Sequence, residues 1–246
     1  MGVPRLRPAS GRPTLRTGGY TVQLDLHGPA GRLEALLDDA PDARFAALVC
    51  HPHPRFGGTM HNHATYRLAK AVRAAGGLAL RFNYRGVGRS GGTYDRARGE
   101  ADDARAALAW LALERPELPR LALGFSFGAW MAAIAGGEDP GVRALVIAGL
   151  ALRSPDPDLT RDLEAVRRAP QPLALVQAER DEYGSPADVE AALEGSRGPR
   201  RVSVVRGATH LFTEDLAGLQ REAEAALAWA MPLAGLAGAA AAGEAP

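Results

Sequence analysis

A Gly-x-Ser-x-Gly pentapeptide at residues 124–128 is the feature of this chain that most constrains its fold and its chemistry. A short run typical of a strand, residues 120–123, precedes it, and small helix-forming residues follow at 129–135. This arrangement predicts a sharp turn from a strand into a helix, on which the side chain of Ser126 stands clear of the backbone. The two glycines allow the tight bend and a close approach of neighbouring elements.

The rest of the chain alternates between predicted strands and predicted helices. We expect strands at residues 20–26, 32–37, 45–50, 78–82, 120–123, 143–150, 173–178 and 201–205, and helices at 62–75, 100–114, 129–135 and 214–231. Such alternation favours a mostly parallel sheet of about eight strands with helices on both faces. The segment from residue 150 to residue 173 is too short for a separate cap domain. We therefore expect one α/β domain over residues 20–231, without a cap and with an open site.

The two ends of the chain are expected to lie outside this domain. Residues 1–19 contain arginines among prolines and glycines but no apolar core, which argues against a secretory signal. Residues 232–246 are rich in alanine and glycine, and we expect them to be disordered.

Composition excludes several kinds of partner. The formal net charge of +1 gives no strong field for nucleic acid, and no apolar stretch is long enough to span a bilayer. Cys50 is the only cysteine, so the chain cannot form an intrachain disulfide. We expect a buried thiol and a protein of the reducing cytoplasm. The sequence does not specify an oligomeric state.

Three predicted loops at the carboxyl ends of strands contain the residue types of a serine triad. Ser126, Asp181 and His210 follow the fifth, seventh and eighth predicted strands, in the order that this architecture requires. His210 would take the proton of Ser126, because an unassisted serine hydroxyl is a weak nucleophile at neutral pH. Asp181 would hold the imidazole in the required tautomer.

The identity of the acid is open to three alternatives. Glu179, Glu182 and Asp188 lie in the same region of the sequence. Asp181 is preferred, because it lies only a few residues beyond the end of a predicted strand.

The loop after the third predicted strand is the expected source of a donor to an oxyanion. The backbone N–H of Phe127, the residue after the serine, should be the first donor. The two prolines of the loop have no N–H, so the N–H of His53 is the nearest remaining candidate. The N–H groups of Arg55 and Gly58 are alternatives.

Aromatic and basic residues near these groups are candidates for binding a substrate. We expect Phe125, Phe56 and Arg55 to contact it, with Phe125 and Phe127 lining an apolar acyl pocket.

Several stretches together resemble the α/β-hydrolase superfamily, and within it the small, lidless bacterial serine hydrolases. They are His-Pro-His-Pro at 51–54, Gly-Gly-Thr-Met-His-Asn at 57–62, Asn-Tyr-Arg-Gly-Val-Gly-Arg-Ser at 83–90, the pentapeptide at 124–128, and residues 181–185 and 207–210. The resemblance covers about residues 20–231. It implies an esterase-like activity on carboxylic esters or thioesters of small to medium acyl groups, through an acyl-enzyme and without a cofactor or metal.

Parts of the sequence are also compatible with other functions. An amidase or peptidase would use the same triad, and a non-catalytic binding protein could use the same fold. The Gly-x-Gly-x-x-Gly run at 86–91 matches a dinucleotide fingerprint, but the next helix is expected only near Glu100, too late to hold a pyrophosphate. The pairs His51-x-His53 and His61-x-His63 have a spacing found in metal sites, although prolines interrupt the first pair.

Overall fold

The computed structural model describes residues 20–153, 156 and 162–236. The strands are β1 (Tyr20–Gly28), β2 (Gly31–Asp39), β3 (Ala46–Cys50), β4 (Leu78–Phe82), β5 (Arg120–Phe125), β6 (Val142–Ala148), β7 (Leu173–Ala178) and β8 (Arg200–Val205). The helices are α1 (His63–Ala74), α2 (Arg98–Glu114), α3 (Phe127–Glu138), α4 (Leu163–Arg168), α5 (Pro186–Ala192) and α6 (Leu216–Leu233), with a short 3-10 turn at Pro54–Phe56.

All eight strands form one sheet, in the order β1-β2-β4-β3-β5-β6-β7-β8. β1 pairs with β2 and β2 with β4 in antiparallel fashion, and every other pair is parallel. The predicted mostly parallel, eight-stranded sheet is therefore confirmed. Since the carboxyl ends of parallel strands share one edge, the loops after β3, β5, β7 and β8 meet there.

The core lies in two layers, one on each face of the sheet. Successive residues of β3 alternate between them, with Leu48 in the layer under α2 and α3 and Val49 in the layer under α1 and α6. This alternation follows from the two-residue period of a strand. Both faces are thus covered by helices, as predicted, and within the described residues no cap element lies over the sheet.

The chain ends differ in part from the prediction. α6 continues through Leu233, so residues 232 and 233 belong to a helix rather than to the Ala/Gly-rich tail. Pro232 is tolerated in this last turn, and apolar packing holds the end in place, because Ala234 is buried and Leu236 packs against the core. Residues 1–19 and 237–246 lie outside the described residues. No described helix is long and apolar enough to cross a membrane.

The turn between β5 and α3 places Ser126 in an unusual backbone conformation. Its φ is 57° and its ψ is −116°, a combination of backbone angles that residues other than glycine rarely adopt. Neighbouring backbone crowds this turn on both sides. A Cβ on Gly124 would overlap the carbonyl of Gly128, and a Cβ on Gly128 would overlap the carbonyls of Cys50 and His51. Both glycines are therefore required for the turn to pack against the end of β3.

Gly128→Ala should destabilise the protein by about 1–3 kcal/mol, because the new methyl group must displace the backbone of β3. Gly137→Ala is the matched control in the same helix. Its methyl group would meet mainly the methyl group of Ala169, at 3.0 Å, while alanine favours the helix by roughly 1 kcal/mol. Urea denaturation measures both effects. Equal stability of the Gly128→Ala variant and the wild type would show that the crowding does not constrain the turn.

Candidate active site

Ser126, His210 and Asp181 form a continuous chain of hydrogen bonds at the carboxyl edge of the sheet. The Ser126 Oγ lies 2.8 Å from His210 Nε2. His210 Nδ1 lies 2.8 Å from Asp181 Oδ2 and 3.0 Å from Oδ1. The imidazole and the carboxylate are both buried. The geometry therefore brings together the three residues that the sequence predicted as a triad.

The three alternative acids have other partners. Glu182 accepts the backbone N–H of His210 at 3.3 Å, and Glu179 accepts the N–H of Gly207 at 2.7 Å. Asp188 accepts the N–H of Ser185 at the start of α5. Of the four acids, only Asp181 contacts the imidazole of His210.

His53 and Phe127 both line the cleft beside Ser126, and their rings pack with centroids 4.9 Å apart. These two residues carry the backbone N–H groups that the sequence predicted as oxyanion donors. Neither N–H has a hydrogen-bond acceptor among the described residues. The alternatives are engaged, because the Arg55 N–H donates to His53 Nδ1 at 3.2 Å and the Gly58 N–H to the His53 carbonyl at 3.0 Å. His53 and Phe127 are thus the pair available to bind an anionic oxygen.

The buried side chain of His51 anchors the loop after β3 through two hydrogen bonds. Its Nδ1 donates to the Pro52 carbonyl at 2.7 Å, and its Nε2 accepts the backbone N–H of Tyr84 at 3.2 Å. Because Tyr84 offers a donor, Nε2 must be unprotonated. Burial lowers the pKa of His51 to about 3, so the ring stays neutral and keeps both bonds.

The ring of His53 is held in a second network at the wall of the cleft. Its Nε2 lies 3.2 Å from both Asp156 Oδ2 and the hydroxyl oxygen of Tyr94, and that hydroxyl donates to Asp156 at 2.9 Å. Burial lowers the pKa of His53, although Asp156 opposes the shift. Both ring nitrogens are therefore engaged by protein groups.

These contacts bear on the metal-site alternative. Both rings of the first histidine pair have protein partners, and His61 and His63 lie on the surface at the start of α1. Across the part of the chain that the structure describes, no three His, Cys, Asp or Glu side chains are grouped as metal ligands.

The loop after β4, which contains the Gly-x-Gly-x-x-Gly run, begins with a residue that braces the site. Asn83 accepts the N–H of Met60 at 2.8 Å and donates to Glu34 at 2.9 Å, which joins the end of the β3 loop to β2. α2 begins only at Arg98, well beyond the glycines at 86–91. No helix N-terminus therefore meets that glycine run, as the sequence predicted.

A cleft of about 350 Å³ opens beside Ser126 and is mostly apolar. Phe56 and Leu211 are 60% and 56% exposed. Phe125 is fully buried next to His210, with their ring centroids 5.4 Å apart. The residues that line the cleft are Pro52, His53, Phe56, Gly58, Asn62, Phe125, Ser126, Phe127, Trp130, Ala151, Arg153, Glu182, Tyr183, His210 and Leu211.

Arg55 differs from the sequence prediction, because the structure does not bring it into this lining. Its guanidinium lies 5.8 Å from the ring centroid of Tyr94 and 3.9 Å from the Asp156 carboxylate. The negative charge of the buried Asp156 carboxylate attracts the Arg55 guanidinium and accounts for this position.

Sequence analysis missed several residues of the site. Tyr183 lies two residues after the predicted acid and Leu211 directly after the predicted base, and this proximity in sequence is a usable signal. Trp130 also lines the cleft, four residues after the serine. Gln177 is different, because its partner Leu150 lies 27 residues away in sequence and only the fold brings the two together.

The Hydrolase_4 family, described as serine aminopeptidase, S33, matches residues 44–170, just over half of the chain. An uncharacterized protein of Rickettsia prowazekii is 35% identical over 199 residues, which span 77% of this chain and 82% of that protein. This chain belongs to that family of α/β-hydrolases.

Further relatives of this hydrolase carry functional descriptions. A structure from Xanthomonas campestris, described as an α/β serine hydrolase without lid, is 30% identical with a TM-score of 0.72, covering 89% of this chain and 97% of that one. A monoacylglycerol lipase of Mycolicibacterium smegmatis is 31% identical over 119 residues, which are 47% of this chain and 41% of that protein.

The buried His51 should make the stability of the hydrolase depend on pH. Its pKa is about 3 in the folded protein, against an ordinary value of 6.5. As the pH falls below 6.5, the unfolded chain binds a proton that the folded protein excludes. The free energy of unfolding should therefore fall, by up to about 1.4 kcal/mol per pH unit from this residue.

His51→Gln should remove this contribution and flatten the decline between pH 6.5 and pH 4.5, as measured by urea denaturation. His61→Gln, at an exposed position, is the matched control and should leave the decline unchanged. Identical pH dependence in the His51→Gln variant and the wild type would contradict the assignment.

Proposed function

We propose that this hydrolase cleaves carboxylic esters or thioesters of small to medium acyl groups, through an acyl-enzyme on Ser126. The observation that carries the proposal is the hydrogen-bond chain Ser126–His210–Asp181, which ends beside two available backbone N–H groups. A hydroxyl, a base, an orienting acid and an oxyanion site are what acyl transfer needs.

In the first half-reaction, Ser126 Oγ attacks the acyl carbon while its proton moves to His210 Nε2. The carbonyl oxygen gains a negative charge and accepts the N–H groups of His53 and Phe127. Asp181 accepts the Nδ1–H of the imidazolium and stabilises its charge. His210 then gives its proton to the leaving oxygen or sulfur as the bond from that atom to the acyl carbon breaks.

In the second half-reaction, a water molecule replaces the departed alcohol or thiol. His210 removes a proton from the water as its oxygen attacks the ester carbon of the acyl-enzyme. The same two N–H groups bind the second oxyanion. The proton then returns to Ser126 Oγ, and the carboxylic acid is released.

The walls of the cleft favour an apolar acyl group. Phe56 and Leu211 are large apolar side chains that are more than half exposed at the cleft, and burial against a substrate would remove this surface from water. The ring of Phe125 packs against the His210 imidazole and forms part of the cleft lining. Arg55 has no assigned substrate contact in this proposal.

An amidase or peptidase is the second candidate, since the description of the family names a serine aminopeptidase. The monoacylglycerol lipase among the relatives favours an ester. A matched pair of p-nitrophenyl ester and p-nitroanilide with the same acyl group separates the two. A binding protein without activity would show neither turnover nor labelling of Ser126 by a fluorophosphonate.

The compartment and the partner are expectations that accompany this activity. Burial raises the pKa of the Cys50 thiol to about 12, so the thiol stays protonated. A cytoplasmic protein that acts on a small-molecule ester, without nucleic acid, metal or cofactor, remains the prediction.

Ser126→Ala should abolish turnover without unfolding the chain, because it removes only the nucleophilic oxygen. The measurement is hydrolysis of p-nitrophenyl esters from acetate upward. The acyl chain length that gives the fastest turnover indicates the size of the acyl site. Ser203→Ala on β8 is the matched control and should keep wild-type rates. Near-native activity of Ser126→Ala would contradict the proposal.

Asp181→Asn should lower kcat by about 10⁴-fold, since the amide favours the wrong imidazole tautomer. Glu179→Gln, in the same loop, is the control and should have little effect on kcat. A large loss in Glu179→Gln with none in Asp181→Asn would assign the acid to Glu179.

A further inference from the structure

Gln177 is a fully buried amide near the end of β7, next to the triad but not part of it. Its Nε2 donates to Asp181 Oδ2 at 2.9 Å and to the Gly184 carbonyl at 2.6 Å. Its Oε1 accepts the N–H of Leu150 at 3.0 Å. Both amide hydrogens and the oxygen are therefore used, which fixes the orientation of the side chain.

These bonds join two loops of the site to the end of β7. Asp181 and Gly184 belong to the loop after β7, and Leu150 lies in the segment after β6. That segment leads to Ala151, whose carbonyl accepts the Trp130 indole N–H at 3.1 Å. One amide thus holds the acid loop against a wall of the cleft.

The carboxylate of Asp181 depends on few donors. It accepts the N–H of Tyr183 at 2.9 Å on Oδ1 and the amide of Gln177 on Oδ2, besides the imidazole. A buried carboxylate is destabilised unless donors compensate its charge. Besides the His210 imidazole, Gln177 is the side chain among the described residues whose hydrogen bond to Asp181 supplies this compensation.

We propose that Gln177 is a positioning residue for the reaction, which orients Asp181 and partly compensates its charge so that the Asp181–His210 pair is tuned for proton transfer. This inference rests on the proposed function. A Gln177 side chain serving only the core would affect stability, whereas this role predicts a change in kcat and in its pH dependence.

Groups that face the Asp181–His210 pair also affect how the reaction rate depends on pH. Glu182 and Tyr183 come from the same loop, with the Tyr183 ring centroid 4.7 Å from that of His210. Ser126 comes from the turn before α3, and Phe125 adds an apolar ring. A substitution at Gln177 removes none of these titratable or aromatic groups from the site.

The test compares Gln177→Met with the wild type, using p-nitrophenyl ester hydrolysis and the rate at which a fluorophosphonate labels Ser126. Methionine keeps the volume but donates no hydrogen bond. We expect kcat to fall by roughly 10- to 100-fold, the same order as the loss of a hydrogen-bond partner that orients a metal ligand, with KM changed less. The acidic limb of kcat/KM should move to higher pH, because the Asp181 charge is less compensated.

Gln171→Met is the matched control. Gln171 is also a buried glutamine, but it precedes β7 at the opposite edge of the sheet and donates to the Gly136 carbonyl at 3.1 Å. This variant should lose stability while keeping kcat, the labelling rate and the pH profile. If Gln177→Met does not fold, Gln177→Glu replaces it. Its buried acid should ionise against Asp181 as the pH rises, so labelling should slow at high pH.

A Gln177→Met variant with wild-type kcat, labelling rate and pH profile would overturn the inference while leaving the proposed function intact. A wild-type protein that neither hydrolyses the esters nor reacts with the fluorophosphonate would overturn the proposed function, and the inference with it. A loss of stability alone, as in Gln171→Met, would reduce Gln177 to a core residue.

Discussion

Close contact of backbone with backbone at the turn after β5 is the constraint on which the rest of the site depends. Ser126 has a positive φ, and glycines on both sides let α3 pack directly against the ends of β3 and β5. This packing brings the serine hydroxyl within hydrogen-bond distance of His210. It also starts α3 at Phe127, whose backbone N–H has no acceptor among the described residues. The same turn therefore positions the proposed nucleophile and one of the two proposed oxyanion donors.

The loop after β3 contains His53, the other proposed donor. This loop has little regular secondary structure, so side-chain hydrogen bonds must hold it in place. His51 is buried below the loop and tied to the backbone of Tyr84, whereas His53 lies at the cleft and is tied to Tyr94 and Asp156. Burial lowers the pKa of both imidazoles, so both stay neutral and hold the loop by directional bonds. Histidines that suggested a metal site in the sequence thus act as structural hydrogen-bonding groups.

Local sequence signals were enough to predict the sheet, the turn at Ser126 and the residue types beside it, since strand ends and glycine positions are local properties. Choices that depend on which atoms meet in space needed the structure. The sequence left Arg55 and Gly58 as oxyanion donors, and hydrogen bonds within the loop engage both. Gln177 gave no signal, because its partner Leu150 lies 27 residues away. The end of α6 was missed because apolar packing extends the helix past a proline.

The proposed mechanism requires Ser126 to be an activated nucleophile. It also requires the N–H groups of His53 and Phe127 to bind the carbonyl oxygen of the acyl group that Ser126 attacks. The most direct test is a crystal structure of the protein after reaction with an alkyl fluorophosphonate. We expect phosphorus bonded to Ser126 Oγ and one phosphoryl oxygen within about 3.2 Å of both backbone nitrogens. An adduct on another residue, or a phosphoryl oxygen held by other donors, would contradict it.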